Sequence, residues 1–183
     1  MKSVRNFVVL MISLVVVSRL VPHPPNFTSI SAVAIFSIHQ MQRNWIATFI
    51  TFFSLWVSDL IINNVVLPFN YPSYYDGFKW FSSVWIYAAY TVILAFLSFF
   101  LKRENSKIQI FATGIFSALL FFFITNFGVW IGGTLYPNNL NGLIMSYFSG
   151  LPFLLNSVLG NLFYLGVLFG SKAFLEKYVH EKS

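Results

Sequence analysis

Long apolar runs alternate along the chain with short polar or proline-rich breaks, and six of the runs have the length and character of helices. The first covers about residues 6–21 and stops at Pro22, Pro24 and Pro25, which lack the amide donors a helix requires. The second, about 25–38, is short, and Pro25 fits its first turn, where a missing N–H is no loss. The other four cover about 45–63, 81–101, 108–130 and 152–175. A helix needs roughly 20 apolar residues to cross roughly 30 Å of hydrocarbon, so these four are comfortable spans and the first two are marginal. The predicted fold is all-α, a six-helix transmembrane bundle forming one domain over residues 1–183.

The breaks are of two kinds. Those at 39–44 and 102–107 are short and basic, whereas 22–26, 64–80 and 131–151 are rich in Pro, Asn, Gly and Tyr. Long loops in compact proteins tend to carry function. Within the last of them, Leu140 to Gly150 is apolar but short, which suits a lid helix or re-entrant segment better than a span.

Composition supports the membrane reading. Of the 183 residues, 57% are hydrophobic and 9% charged, against about 25% charged in a soluble domain. The net charge of +6 resolves into topology once the charges are placed. With both termini cytoplasmic, Lys2, Arg5, Arg43, Lys102, Arg103, Lys107, Lys172, Lys177 and Lys182 lie inside, and only Arg19 and Lys79 fall on the other side. That bias predicts an integral protein of the bacterial inner membrane, N-in and C-in, and leaves no surface for nucleic acid. The absence of cysteine excludes thiolate nucleophiles and Cys-ligated metals. Lys2 and Arg5 before an apolar run also suit a signal peptide, but no small-x-small cleavage site follows.

Candidate chemistry is sparse. Arg19 and Asp59 are the ionisable groups inside the spans, both towards the outer surface, and each is the natural partner of the other. Asn126, four residues below Trp130, and Asn156 reach similar depth on two further helices. These groups can be a structural ion pair with asparagines bonding across helices, or the lining of an outward-facing cavity. Thr48, Thr51, Ser54 and Ser58 form a stripe suited to close helix packing, as do Gly166 and Gly170. Trp45, Trp80 and Trp130 read first as interfacial belt residues. His23 with Asp59 gives too few ligands for a metal, and no hydrolase, metalloprotease or nucleotide-binding motif is present. No cofactor and no enzyme activity are expected.

The run Arg19-Leu-Val-Pro-His-Pro-Pro-Asn-Phe-Thr28, with Ser58-Asp59-Leu60, Thr125-Asn-Phe-Gly-Val-Trp130, Leu135-Tyr-Pro137 and Leu151-Pro-Phe153, resembles the signature of an uncharacterised bacterial family of candidate membrane transport proteins. That family is similar in layout to the substrate-binding S components of energy-coupling-factor (ECF) transporters. The resemblance implies six helices, a site closed by outer loops, and energy supplied by a coupling membrane subunit and ATPase subunits. S components often dock through an AxxxA pattern on the first helix, which the bulky stretch Val8–Val17 lacks; Ala32 and Ala34, or Gly166 and Gly170, are the substitutes. Asn161 stands where relatives are expected to hold an acidic residue.

The favoured expectation is a substrate-capture subunit for uptake of a small polar nutrient, such as a vitamin or cofactor precursor. Arg19, Asp59, Asn126 and Asn156 would contact the ligand, with His23 and Asn26 of the signature run, while Trp130 and the Tyr71–Tyr75 loop would cover it. Two rivals stand beside it: a stand-alone secondary transporter or channel using Asp59, and a membrane scaffold without ligand.

Overall fold

The computed structural model describes residues 2–74, 76–102, 104–133 and 135–180. Tyr75 of the expected covering loop, and Arg103 and Lys182 of the inner basic set, lie outside them. The described residues form six long helices, a 3-10 turn at Pro72–Tyr74, and no strand. The helices are α1 (Lys2–Leu20), α2 (Ile30–Met41), α3 (Asn44–Ile61), α4 (Val84–Phe100), α5 (Lys107–Ile131) and α6 (Leu140–His180). Each falls on one of the six apolar runs.

α3 continues past Ile61 through a π turn (Ile62–Val66) and one α turn (Leu67–Asn70). Pro68 explains the widening, because its ring clashes with the carbonyl four residues back and it has no N–H to close an α turn. The start of α5 is fixed by a reciprocal capping box, Ser106 with Gln109. α6 is capped by Asn139, whose Oδ1 accepts the Gly142 N–H at 2.9 Å.

Two boundaries differ from expectation. Pro25 does not open α2: Pro24 O accepts the Phe27 N–H at 3.0 Å, and Asn26 takes a left-handed φ of 65°, so the chain turns before the helix begins. At the other end, Leu140–Gly150 is neither loop nor separate segment. It runs through Pro152 into the sixth helix, giving 41 continuous residues and shortening the expected 131–151 loop to 132–139. The first three turns of α6 lie on α5, with the Ser146 hydroxyl donating to Asn126 O at 2.8 Å and that of Tyr147 to Phe123 O at 3.1 Å. That packing holds the helix together across the proline.

α2 is the hub. It touches all five other helices, which follow around it in the order α1, α3, α4, α5, α6. Every residue from Ile30 to Ile38 is buried, which explains a run that is apolar on all sides. Thr51, Ser54 and Ser58 face inward from α3, and each hydroxyl bonds the carbonyl four residues back, so the stripe packs helices.

Among the described residues, three helices, not six, are long and apolar enough to cross a membrane alone: Asn44–Asn70, Lys107–Ile131 and Leu140–Tyr178, with mean hydropathies of 1.8, 2.1 and 1.6. α2, with 12 residues, and α4, with 17, are shorter apolar helices, reaching about 18 and 26 Å at 1.5 Å per residue. The apolar stretch of α1 is confined between Arg5 and Arg19. The bundle thus has a basic end, with the 42–43 and 101–106 connections, and a loop end, with residues 21–29, 71–83 and 132–139.

Candidate functional site

Arg19, in the last turn of α1, reaches across to α3. Its Nη2 donates to Asp59 Oδ1 at 2.8 Å, and its Nη1 donates to the Leu55 carbonyl at 3.1 Å and to the Ser58 hydroxyl. Those bonds use three of the five guanidinium N–H donors, leaving two without a protein acceptor. Asp59 is wholly buried, and its Oδ2 accepts from the Ser82 backbone N–H and the Tyr87 hydroxyl, each at 3.0 Å. One carboxylate therefore ties α1, α3, α4 and the loop before α4, with both oxygens occupied. A buried charge needs such company, because desolvation alone opposes it.

Arg19 also lines a small cavity of ≈70 Å³, with Asn26, Thr28, Ser31, Tyr90, Ser157 and Asn161. Asn161 is fixed by donating its Nδ2 to Gly114 O at 2.9 Å. A second cavity of ≈380 Å³ lies towards the loop end and shares Asn26, Ile86 and Phe121 with the first. Its walls mix Trp85, Phe153 and Tyr136 with Thr125, Asn126, Ser146 and Ser149. A cleft with an apolar body and a few fixed polar groups is the usual form of a small-molecule site.

The expected residues divide by position. Arg19, Asn26 and Asn126 line the two cavities. Asn126 donates its amide to Phe122 O at 2.8 Å, and Gly150 packs so closely on its side chain that a Cβ there would collide. Asp59 lines neither cavity and stands behind Arg19. The other three brace the turns: Asn156 donates to Pro25 O at 3.0 Å, the Trp130 indole to Pro137 O at 3.1 Å, and His23 Nδ1 bonds Pro24 O at 2.7 Å. Thr28, Ser31, Tyr90 and Ser157 were not anticipated as lining, and Asn161, noted in the sequence only as standing where an acidic residue was expected, joins them. Among the described residues, no three His, Asp or Glu side chains gather as a metal would need.

Of the 71–83 loop, Ser83 lines the larger cavity, and Tyr71, of the expected covering loop, lines neither cavity. Asn64 clamps the Lys79 backbone from both sides, donating to its carbonyl and accepting its N–H, each at 2.8 Å. With Asp59 holding Ser82 N and Asn63 Oδ1 accepting the Ser82 hydroxyl at 3.3 Å, the loop folds down along α3. Tyr71 lines a separate cavity there. In that loop Lys79 bonds Asp76 at 2.8 Å, and its ammonium, with a backbone N–H, holds the Asp76 carboxyl below the usual carboxylate range. Of the proposed docking residues, Ala32 and Ala34 are 0% exposed and have no surface to offer a partner. Gly166 and Gly170 face open space and line a ≈290 Å³ groove at the basic end with Lys107, Phe169 and Lys172.

Residues 2–182 match, over almost the whole length, a family of unknown function, DUF6580. The chain belongs to the DUF6580 family. No curated protein and no solved structure matches it. Roles for the residues of this DUF6580 chain therefore rest on geometry, and the geometry singles out Arg19: a cation paired with Asp59, with donors left over, in the wall of a cavity.

Proposed function

We propose that this DUF6580 chain is an integral membrane substrate-capture subunit, similar in role to the S component of an ECF transporter. It takes up a small polar solute bearing an anionic group. The uncommitted Arg19 donors carry the reading. Two N–H groups that no protein atom accepts, beside Asn26, Thr28, Ser31 and Asn161, suit a carboxylate or similar head, and the larger cavity suits its body. Asp59 positions Arg19. The concentration of basic residues at one end supports both termini in the cytoplasm, all six helices embedded together, and the loop end facing outward. Energy would come from a coupling membrane subunit and ATPase subunits.

A ligand-free scaffold predicts a packed loop end, so the two cavities favour capture. A secondary transporter that titrates Asp59 requires solvent access to a carboxylate that is 0% exposed. The test is thermal stability of the purified protein against a library of small organic anions. A ligand at 100 times its Kd stabilises by about 2.7 kcal/mol. The Asn26→Gly variant keeps the left-handed turn and loses the amide, while Arg19→Lys loses the planar fork. A hit whose shift shrinks in both supports the site. A hit that both variants bind like wild type, or a library without hits, overturns it.

A further inference from the structure

We propose that the solute captured at Arg19 is a monocarboxylate whose body is an uncharged planar ring. The inference rests on the capture reading and narrows its substrate class. Charge sets the first limit. Among the described residues, Arg19 is the one charged group lining either of the two adjoining cavities. Asp59 lies outside both walls, and its oxygens are taken by Arg19, the Ser82 N–H and the Tyr87 hydroxyl. A ligand ammonium would therefore find no carboxylate, and a second ligand carboxylate no second cation. A charge moved out of water without a partner is costly. One negative charge is what these walls answer; a zwitterion, an organic cation or a dianion exceeds it. The larger cavity adds only neutral groups, and several of their donors are spent. The Thr125 hydroxyl donates to Phe121 O, that of Ser146 to Asn126 O, and the Asn126 amide to Phe122 O. A hydroxyl has a single donor, so Thr125 and Ser146 have only acceptor capacity left, which suits no further anionic group.

Shape sets the second limit. Phe121 belongs to both walls, and its ring lies 5.5 Å from that of Tyr90, which lines the Arg19 cavity. Beyond this junction stand Trp85 and Phe153. The Trp85 indole is clamped. A Cβ built on Gly128 would be nearly equidistant from the ring atoms Cγ, Cδ1 and Cδ2, so the glycine lies against the face of the indole. The Phe127 ring stands at 79° to the same indole. A ring held in this way is a preorganised flat surface. Flat rings reward a flat partner, stacked or edge-on, beyond the area that it buries. The path from Arg19 through Phe121 to Trp85 thus fits a carboxylate carried on an aromatic ring.

The experiment titrates the full chain, purified in mild detergent, by calorimetry and melting temperature. The probes are benzoate and indole-3-carboxylate, cyclohexanecarboxylate and hexanoate, isophthalate, phenylalanine and benzamide. The two planar monocarboxylates should bind best. Cyclohexanecarboxylate and hexanoate should bind roughly threefold to tenfold more weakly, as loss of ring-on-ring contact implies. Isophthalate and phenylalanine, which each add a charge, should bind roughly a hundredfold more weakly, and benzamide, without the anion, should bind weakly too. Trp85→Leu and Phe153→Leu should each narrow the gap between benzoate and cyclohexanecarboxylate; the ligand series on wild type stands even if one variant does not fold. Aliphatic acids that bind as tightly as benzoate, or a gap unchanged in both variants, overturn the planar ring. Phenylalanine or isophthalate binding as well as benzoate overturns the single charge. In those outcomes, binding that still weakens in Arg19→Lys leaves the capture reading standing. Binding of none of these anions, nor of any in the wider library, removes the capture reading and this inference with it.

Discussion

Arg19 and Asp59 differ in what each leaves behind when removed, and the difference is measurable. In Arg19→Met, Asp59 stays 0% exposed with the Ser82 N–H and Tyr87 hydroxyl but no counter-charge. Breaking a buried pair in that way costs about 3–5 kcal/mol. In Asp59→Asn, the guanidinium keeps Leu55 O and Ser58, and its side chain, 12% exposed, reaches the cavity. The loss there should be about 1–3 kcal/mol, that of hydrogen bonds to a charged group. The double variant Arg19→Met/Asp59→Asn leaves no charge to strand, so it should be more stable than Arg19→Met alone. Reversible unfolding in mixed micelles, with a double-mutant cycle, reads the coupling, expected at about 2 kcal/mol. In melting temperature, Arg19→Met should fall by roughly 6–20 °C for a chain of this size. Additive single effects, or a larger loss in Asp59→Asn than in Arg19→Met, would refute the view that Asp59 depends on Arg19 for its charge.

Other consequences are as direct. Asn64→Ala removes both bonds to the Lys79 backbone, so amide exchange at 78–82 should speed up by tenfold or more; unchanged exchange would mean that the loop is held elsewhere. Gly128→Ala drives a Cβ into the Trp85 indole and should destabilise by about 1–3 kcal/mol, whereas Gly166→Ala meets open space and should stay within about 0.5 kcal/mol or gain; thermal unfolding of the pair checks both. Asp76 titrates below its ordinary range because of Lys79, so its contribution is present above the unfolded carboxylate value and disappears as pH falls through the lowered one. A carboxyl NMR titration of Asp76 should therefore show a midpoint below 3.8 in wild type and a higher one in Lys79→Gln.

The features legible in the sequence were those that physics places locally. Two opposite charges in otherwise apolar helices had few partners but each other, and Arg19 and Asp59 are paired. The six helices were readable from hydropathy alone. Length misled at α2 and α4, both too short to span unaided; α2 is covered by its neighbours and needs no match to the hydrocarbon, whereas α4 keeps an exposed apolar face with Val84, Val92 and Phe99. Pro152 looked like a start because proline opens helices, yet Ser146 and Tyr147 bond α5 on the preceding turns and carry α6 through it. The Tyr71–Tyr75 loop was expected to cover the ligand because nothing in its composition announces that Asn64, seven residues before Tyr71, pairs with the backbone of Lys79. Depth grouped Asn156 with Arg19, but depth does not give azimuth, and Asn156 faces the Pro25 turn.

The central position of α2 bears on how such a chain is made. A helix of 12 residues covers about 18 Å, little more than half of a bilayer's apolar thickness of about 30 Å. Alone in lipid it would leave its terminal peptide groups without water, so it is a poor candidate for release from the translocation machinery as an independent helix. If all six helices are embedded as proposed, α1, α2 and α3 partition as a unit, or α2 waits at the protein-lined exit until α5 and α6 arrive to enclose it. On the proposed embedding, truncation after α3 should leave Asn44–Asn70 able to insert but α2 without the α5 and α6 surfaces that cover it, and such a chain should be degraded faster than the full one.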